Sequence, residues 1–216
     1  MDGLYERMRL AIFDTETSGF PSPRLLTTIV GFAYIIYNLE GRRVEVECNR
    51  IIKQPRNFSI PSAAMSVHGI TDELCASNGT HLFPILDTFI DYAITCDNVV
   101  GHNVRFDLEM ITCAYTQLLN SRKGVEAIEL HCLHQLSLIR TVIYPKSICT
   151  MKSGIDICRL PRYKGTGFKF PKLRELYEKL VGVSPEIEHD ALEDVKSCLA
   201  CYIKMYDMNT LFVHVV

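Results

Sequence analysis

The chain has 216 residues, 48% of them apolar; this excludes a disordered chain and suits a single domain over residues 1–216. A formal net charge of −2 excludes bulk attraction for nucleic acid, so any such contact has to come from a local patch. Nine cysteines without dense regular spacing, no signal-peptide core and no apolar run near the ~18 residues of a membrane span lead to an expected soluble intracellular protein with no membrane contact, cytoplasm and nucleus not being distinguished.

Residues 8–14 form a compact apolar run that ends on the carboxylate of Asp14, which predicts a strand. Residues 28–38 are rich in β-branched and aromatic types, Asn38-Leu39-Glu40-Gly41 carries turn chemistry, and 43–52 alternates like a half-exposed strand. Together these segments predict an antiparallel meander. Residues 84–96 open with Pro84 and place Ile85, Phe89, Ile90 and Ala93 at helical spacing. A short strand at Val99-Val100 is followed by a helix over 104–119, and residues 147–151 suit another strand. Pro171 opens a helix with Leu173, Leu176, Tyr177 and Leu180 on one face and Gly182 at its close; the last helix covers 190–206. Strands first, then alternating helices and strands, predict an α/β fold with helices packed on a mixed sheet.

Three acidic groups punctuate these elements. Asp14 and Glu16 flank Thr15 at the end of the first strand, so their side chains project to one side, about 7 Å apart along the chain. Two such carboxylates repel unless a cation neutralises them, and oxygen donors of this type favour Mg²⁺ or Mn²⁺. Asp107 falls in the first turn of the 104–119 helix, where the helix dipole favours an anion. Asp194 lies about one turn into the final helix. His189 precedes that helix, and a histidine can accept a proton from water at neutral pH. Asp190 and Glu193 are expected to face solvent or the helix N-terminus.

In chain order, Phe13-Asp14-Thr15-Glu16-Thr17-Ser18-Gly19, His102-Asn103-Val104-Arg105-Phe106-Asp107 and His189-Asp190-Ala191-Leu192-Glu193-Asp194-Val195 resemble the three motifs of the DnaQ-like (DEDDh) exonuclease family. Ala64-Met65-Ser66-Val67-His68-Gly69-Ile70-Thr71 resembles a fourth segment found between the first two. About 90 and 85 residues separate the acidic groups, and the resemblance covers roughly residues 9–205. It implies an RNase H-like fold with a five-stranded mixed sheet. It implies 3′→5′ hydrolysis of DNA or RNA from a single-stranded 3′ end to nucleoside 5′-monophosphates, with two Mg²⁺ or Mn²⁺ ions. Asp14, Glu16, Asp107 and Asp194 would be the metal-binding acids, Asp107 directly or through water, and His189 the general base. Thr17, Ser18 and Gly19 would approach the last sugar, Met65 and His68 its base, and Asn103 and Phe106 the next nucleotide. Val30-Gly31 departs from the family, which often has an acid or amide before that glycine.

Other features stay open. Residues 120–147 are longer than a minimal family member needs; Leu130, Leu133, Leu136, Ile139 and Ile143 would serve core packing before a partner surface. Residues 157–174 hold six Lys or Arg and no acid, interleaved with Tyr163, Phe168 and Phe170. Such a stretch either guides a strand toward the site or is a solvated loop with its aromatics tucked into the core. Cys198 and Cys201 are expected to face the core rather than to hold zinc. A non-catalytic nucleic-acid-binding module of this fold, or the proofreading subunit of a polymerase, are the competing functions.

Overall fold

The computed structural model describes residues 8–20, 27–185 and 190–211. The first three segments form the expected meander: β1 (Arg9–Thr17) pairs antiparallel with β2 (Ile29–Asn38), and β2 with β3 (Arg43–Ile51). Asn38 Oδ1 accepts a hydrogen bond from Gly41 N at 2.7 Å and so closes the turn between β2 and β3. β4 (Asn98–Gly101) adds parallel to β1, and β5 (Ser147–Cys149) parallel to β4, giving the order β3-β2-β1-β4-β5. The sheet is therefore five-stranded and mixed, as expected. β1 does not stop at Asp14; β2 continues to pair it through Glu16, opposite Gly31, with an irregularity before Thr17. All ten residues of β2 are buried, whereas β3 is a largely exposed edge whose Arg43, Glu45, Glu47 and Arg50 discourage pairing with another chain.

Strand alternation decides which helix meets which residue. Ala11 and Phe13 of β1 face a core shared with α3 (Leu82–Thr95) and α4 (Val104–Ser121), where Phe89 packs 4.7 Å from the Phe13 ring centroid. Leu10 and Ile12 face the opposite side and pack with Val195, Cys198 and Tyr202 of α9 (Ala191–Asp207). Pro84 is tolerated inside the first turn of α3, where no intrahelical acceptor is needed for its missing N–H.

Two helices appear where only a motif was expected. α1 (Ser62–His68) ends on Gly69 at φ 71°, a left-handed cap that favours glycine, and Thr71 caps α2 (Asp72–Asn78) by accepting from Leu74 N. The acids Asp72 and Glu73 behind Thr71 were the readable signal. The 120–147 region forms α5 (Glu126–Leu138) and a π turn over Ile139–Ile143. Ile139 and Ile143 are buried and Leu136 packs on the same core, but Leu130 and Leu133 are 60% and 53% exposed, contrary to the expectation of core packing. α5 has almost no one-sided apolar face, so a leucine spacing that looks internal lands partly in solvent. A short helix α6 (Thr150–Ser153) replaces the end of the expected 147–151 strand, α7 (Ile155–Cys158) follows it, and α8 (Leu173–Val181) precedes α9.

Tyr115 of α4 is wholly buried and donates its hydroxyl to Asp87 Oδ1 of α3 at 2.6 Å; that oxygen also lies 3.1 Å from His131 Nε2 of α5. This junction holds three helices on one side of the sheet. Tyr115→Phe is expected to lower stability by about 1 kcal/mol in urea titration, the usual loss for one such hydrogen bond.

Candidate active site

Parallel pairing of β4 to β1 stops at Ile12 opposite Val100, while β1 runs on to Thr17. The N–H groups that β1 turns toward the β4 edge beyond that point therefore need other acceptors. α4 begins three residues after β4 and returns Asp107 to this edge. Its Oδ1 accepts from Thr15 N at 3.1 Å and from Thr15 Oγ1 at 2.6 Å. Thr15, the middle residue of the first acidic motif, thus anchors the acid of the second; Asp107 is only 3% exposed. Asn103, just before α4, sits at φ 73°, the left-handed region that asparagine tolerates better than most residues.

Asp14 and Glu16 continue the row of Leu10 and Ile12, so they face α9. Asp190 Oδ1 caps that helix by accepting from Leu192 N at 3.0 Å and Glu193 N at 3.2 Å, and Asp190 is not one of the acids that converge on the strand. One turn on, Asp194 meets the strand. Asp14, Glu16 and Asp194 each offer a carboxylate oxygen, all within 4.8 Å of one another, and they are the one such group among the described residues. Asp107 lies outside this trio but next to it in charge. Burial pushes the Asp14 carboxyl well above its usual range, and the charges of Asp107, Asp194 and Glu16 add to the push. Glu16 rises to about 8 by burial and then by Asp194, Asp107 and Asp190. Burial raises Asp107 to about 7 against the opposing hydrogen bonds from Thr15. Three clustered hard oxygen donors that cannot all ionise alone suit a divalent cation.

The trio opens into a cleft of ≈ 620 Å³. Phe20, 83% exposed, meets Phe106 edge-on at 5.8 Å between centroids, and Phe170, Lys172 and Arg174 line the cleft as well. A second hollow of ≈ 520 Å³ is lined by Thr17, Ser18, Gly19, Val67, His68, Asn103 and Phe106. His68 Nδ1 accepts from Ile70 N at 3.0 Å, which orients the ring. Met65 is not part of that lining; it packs with Val30, Ile60 and Cys75 in a small core beneath. His189 lies outside the described residues.

His102 is a further residue of this site, with no role expected for it from the motifs. Its Nε2 is 3.0 Å from the Pro171 carbonyl, which only accepts, so Nε2 carries the proton and Nδ1 accepts from Thr150 Oγ1 at 3.0 Å. Burial lowers this imidazole to about 4, so it is neutral at pH 7. It ties the end of β4 to the segment that lines the cleft ahead of α8. Its place between a strand and a helix start beside Asn103 was the only sequence signal.

Residues 161–168 are exposed throughout, with Tyr163 at 97%, and Phe170 is half-exposed, so these aromatics are not tucked into the core. Lys169 pairs with Glu175 at 2.6 Å and Arg174 with Glu178 at 2.8 Å. Cys198 and Cys201 are buried as expected. All nine cysteines are unbridged, and Cys132 is buried while His131 pairs with Asp87, which leaves no zinc set there. Among the described residues no helix is long and apolar enough to cross a membrane.

No curated protein matches the sequence at a significant level. Among solved structures, the nuclease domain of 3′hExo, a DEDDh family member bound to rAMP, is similar at 18% identity and a TM-score of 0.64, over 95% of each chain. E. coli Exonuclease I in complex with a dT13 oligonucleotide matches at 18% identity and a TM-score of 0.65, over 92% of this chain and 41% of that one. Exonuclease I from Methylocaldum szegediense matches at 22% identity and a TM-score of 0.62, over 93% and 40%. The chain thus spans about two fifths of each Exonuclease I chain. These likenesses establish the RNase H-like exonuclease fold. The sequence model of the RNase_T family, described as exonuclease, matches residues 11–202. With that match over most of its length, the chain belongs to the RNase_T family of DnaQ-like exonucleases.

Proposed function

We propose that this protein is a divalent-metal-dependent exonuclease that removes nucleoside 5′-monophosphates from the 3′ end of single-stranded DNA or RNA. The observation that carries this reading is the convergence of Asp14, Glu16 and Asp194 within 4.8 Å at the floor of a cleft, in a chain of an exonuclease family. The direction and polymer are supported by relatives described as a 3′-exonuclease, and as complexes with rAMP or oligonucleotides.

Asp14, Glu16 and Asp194 would hold the cations, with Asp107 adding negative charge through Asp14 or through water. Bound there, two Mg²⁺ or Mn²⁺ ions would supply Lewis acidity for the attack of water and the departure of the leaving oxygen. Thr15 keeps Asp107 in place by its two hydrogen bonds. Phe20 and Phe106 offer apolar faces and edges to the terminal bases, while the chain at Thr17, Ser18 and Gly19 approaches the sugar. Asn103 and His68 supply polar contacts in the same hollow. Lys172 and Arg174 line the cleft and would offset phosphate charge. His189 accepts the proton of the attacking water, a role that rests on its motif and on its place directly before Asp190.

Three outcomes are expected. With Mg²⁺ or Mn²⁺, a 5′-labelled single-stranded oligonucleotide is shortened stepwise from its 3′ end, and EDTA stops this. Asp14→Asn falls below roughly one hundredth of the wild-type rate, a loss of ~2.7 kcal/mol in barrier lowering. Endonucleolytic fragments, or activity that persists in EDTA, would sink the proposal; binding without any turnover would favour a non-catalytic module.

The raised carboxyls also predict a stability profile. Glu16 has an ordinary value of 4.5 and a folded value of about 8. Below 4.5 it is protonated in both states and costs nothing; as pH rises toward 8 the unfolded chain ionises first, so the metal-free fold loses stability. Glu16→Gln therefore raises the Tm of EDTA-treated protein at pH 8.5 by several degrees, with little change near pH 4. It also weakens the Tm increase that Mg²⁺ produces in the wild type. An equal Tm for both proteins at pH 8.5 would contradict the assignment.

His189→Ala is expected to lower kcat by about 10²–10⁴ while keeping the Mg²⁺-induced rise in Tm. Single-turnover rates and melting curves on the same preparations separate the two effects. A loss of metal response would make His189 part of the metal site instead.

A further inference from the structure

The segment between α7 and α8 is folded, not loose. Leu160 O accepts from Lys169 N at 2.8 Å, Pro161 bridges Phe168 antiparallel, and Arg162 Nε donates to Phe168 O at 3.0 Å. These contacts make a small arm with its tip at Tyr163–Gly167. The tip turns on Gly165 and Gly167, at φ 87° and 90°, conformations that favour glycine. Every residue from 161 to 168 is exposed.

The base of the arm is Phe170, Pro171 and Lys172, which line the same cleft as Asp14, Glu16 and Asp194. The Pro171 carbonyl is held by His102 Nε2 at 3.0 Å, so the base is fixed to the end of β4. From Phe170 to the tip is about four residues, or ~13 Å of extended chain. That length matches roughly four nucleotides at the 3.4 Å repeat of a stacked strand, and fewer in an extended one.

Charge along the arm is unequal. Lys169 and Arg174 are taken by Glu175 and Glu178. Among the described residues Arg159, Arg162 and Lys164 have no acidic partner, Lys172 shares the charge of Glu175 with Lys169, and the ring of Tyr163 is 97% exposed beside Arg162 and Lys164. In a chain of net charge −2, this is a local positive rail with an aromatic face, continuous with the cleft.

We infer that this arm is a second binding site, which holds the backbone and one base of a single strand several nucleotides upstream of the scissile bond. Lys172 contacts phosphate at the cleft, Arg162 and Lys164 contact phosphates farther along, and Tyr163 stacks on a base. The arm makes affinity depend on strand length, so long single strands are preferred over very short ones. This inference rests on the proposed nuclease reading for its orientation, but binding to the arm does not need turnover.

The test uses the full chain with dT3 and dT12. kcat/KM is measured for wild type, the double variant Arg162→Ser/Lys164→Ser, and Tyr163→Ala. Binding of labelled dT12 is followed by anisotropy in the Asp14→Asn background with EDTA, so that the strand stays intact. With three phosphate contacts at a slope of about −0.7 each, dT12 affinity falls roughly 18-fold between 50 and 200 mM salt; with two contacts removed it falls roughly threefold. Tyr163→Ala weakens dT12 by at least about fivefold. Turnover of dT3 is unchanged in both variants. Equal losses for dT3 and dT12, or an unaltered salt slope, would overturn the arm as a strand site. If the wild type hydrolyses neither oligonucleotide yet anisotropy keeps its dependence on Arg162, Lys164 and Tyr163, the arm stands and the nuclease reading fails.

Discussion

Mutual repulsion of carboxylates at the end of β1 is the constraint around which the site is arranged. Asp14, Glu16 and Asp194 stand close enough to share a cation, and Asp107 adds its charge from the other face. Burial and repulsion together push Glu16 to about 8, and burial raises Asp107 to about 7 against the hydrogen bonds from Thr15. Such a cluster is held only because its backbone is secured elsewhere. β2 pairs with β1 on one side as far as Glu16, and two hydrogen bonds from Thr15 to Asp107 replace the missing β4 neighbour on the other. Hydrophobic cores on both faces of the sheet supply the stability that the acidic end withholds.

The geometry follows from a difference in strand length. β4 stops short of β1 and turns at once into α4, so the first turn of α4 reaches the bare edge of β1. Strand alternation then sorts the acids: Thr15 meets α4, while Asp14 and Glu16 meet α9. Gly31 has a related part. A Cβ there would come within 2.9 Å of Ile70 Cδ1 and 3.1 Å of Glu16 Cβ, so the absence of a side chain lets Glu16 keep its place beside the segment that follows α1. That accounts for glycine at this point of β2, whatever residue precedes it.

His102 shows how a neutral buried group can organise a charged cleft. It spans the end of β4, the start of α6 and the Pro171 carbonyl, and it stays uncharged because burial lowers it to about 4. Through Pro171 it sets the position of Phe170 and Lys172, and hence of the exposed arm beyond them. The apolar pair Phe20–Phe106 and the basic residues of α8's approach thus line one cleft without either being part of the acidic cluster.

Much of this was readable from the chain alone, because local patterns carry it. The strand and helix periods placed β1, β2, β3, α3, α4 and α9 to within a few residues, and the i, i+2 spacing put Asp14 and Glu16 on one side. Four ordered motifs pointed to the family. Other features depend on tertiary contact, which leaves no local trace. Nothing in the spacing shows that Thr15 holds Asp107, that Met65 turns into a core while His68 faces the hollow, or that Leu130 and Leu133 meet water. His102 could be valued only once Pro171, sixty-nine residues away, was seen to accept its proton. The sequence by itself determined which residue types lie on each face of each element, since backbone period does that; only the tertiary structure decided which faces meet, since that depends on where each strand stops and which helix packs there.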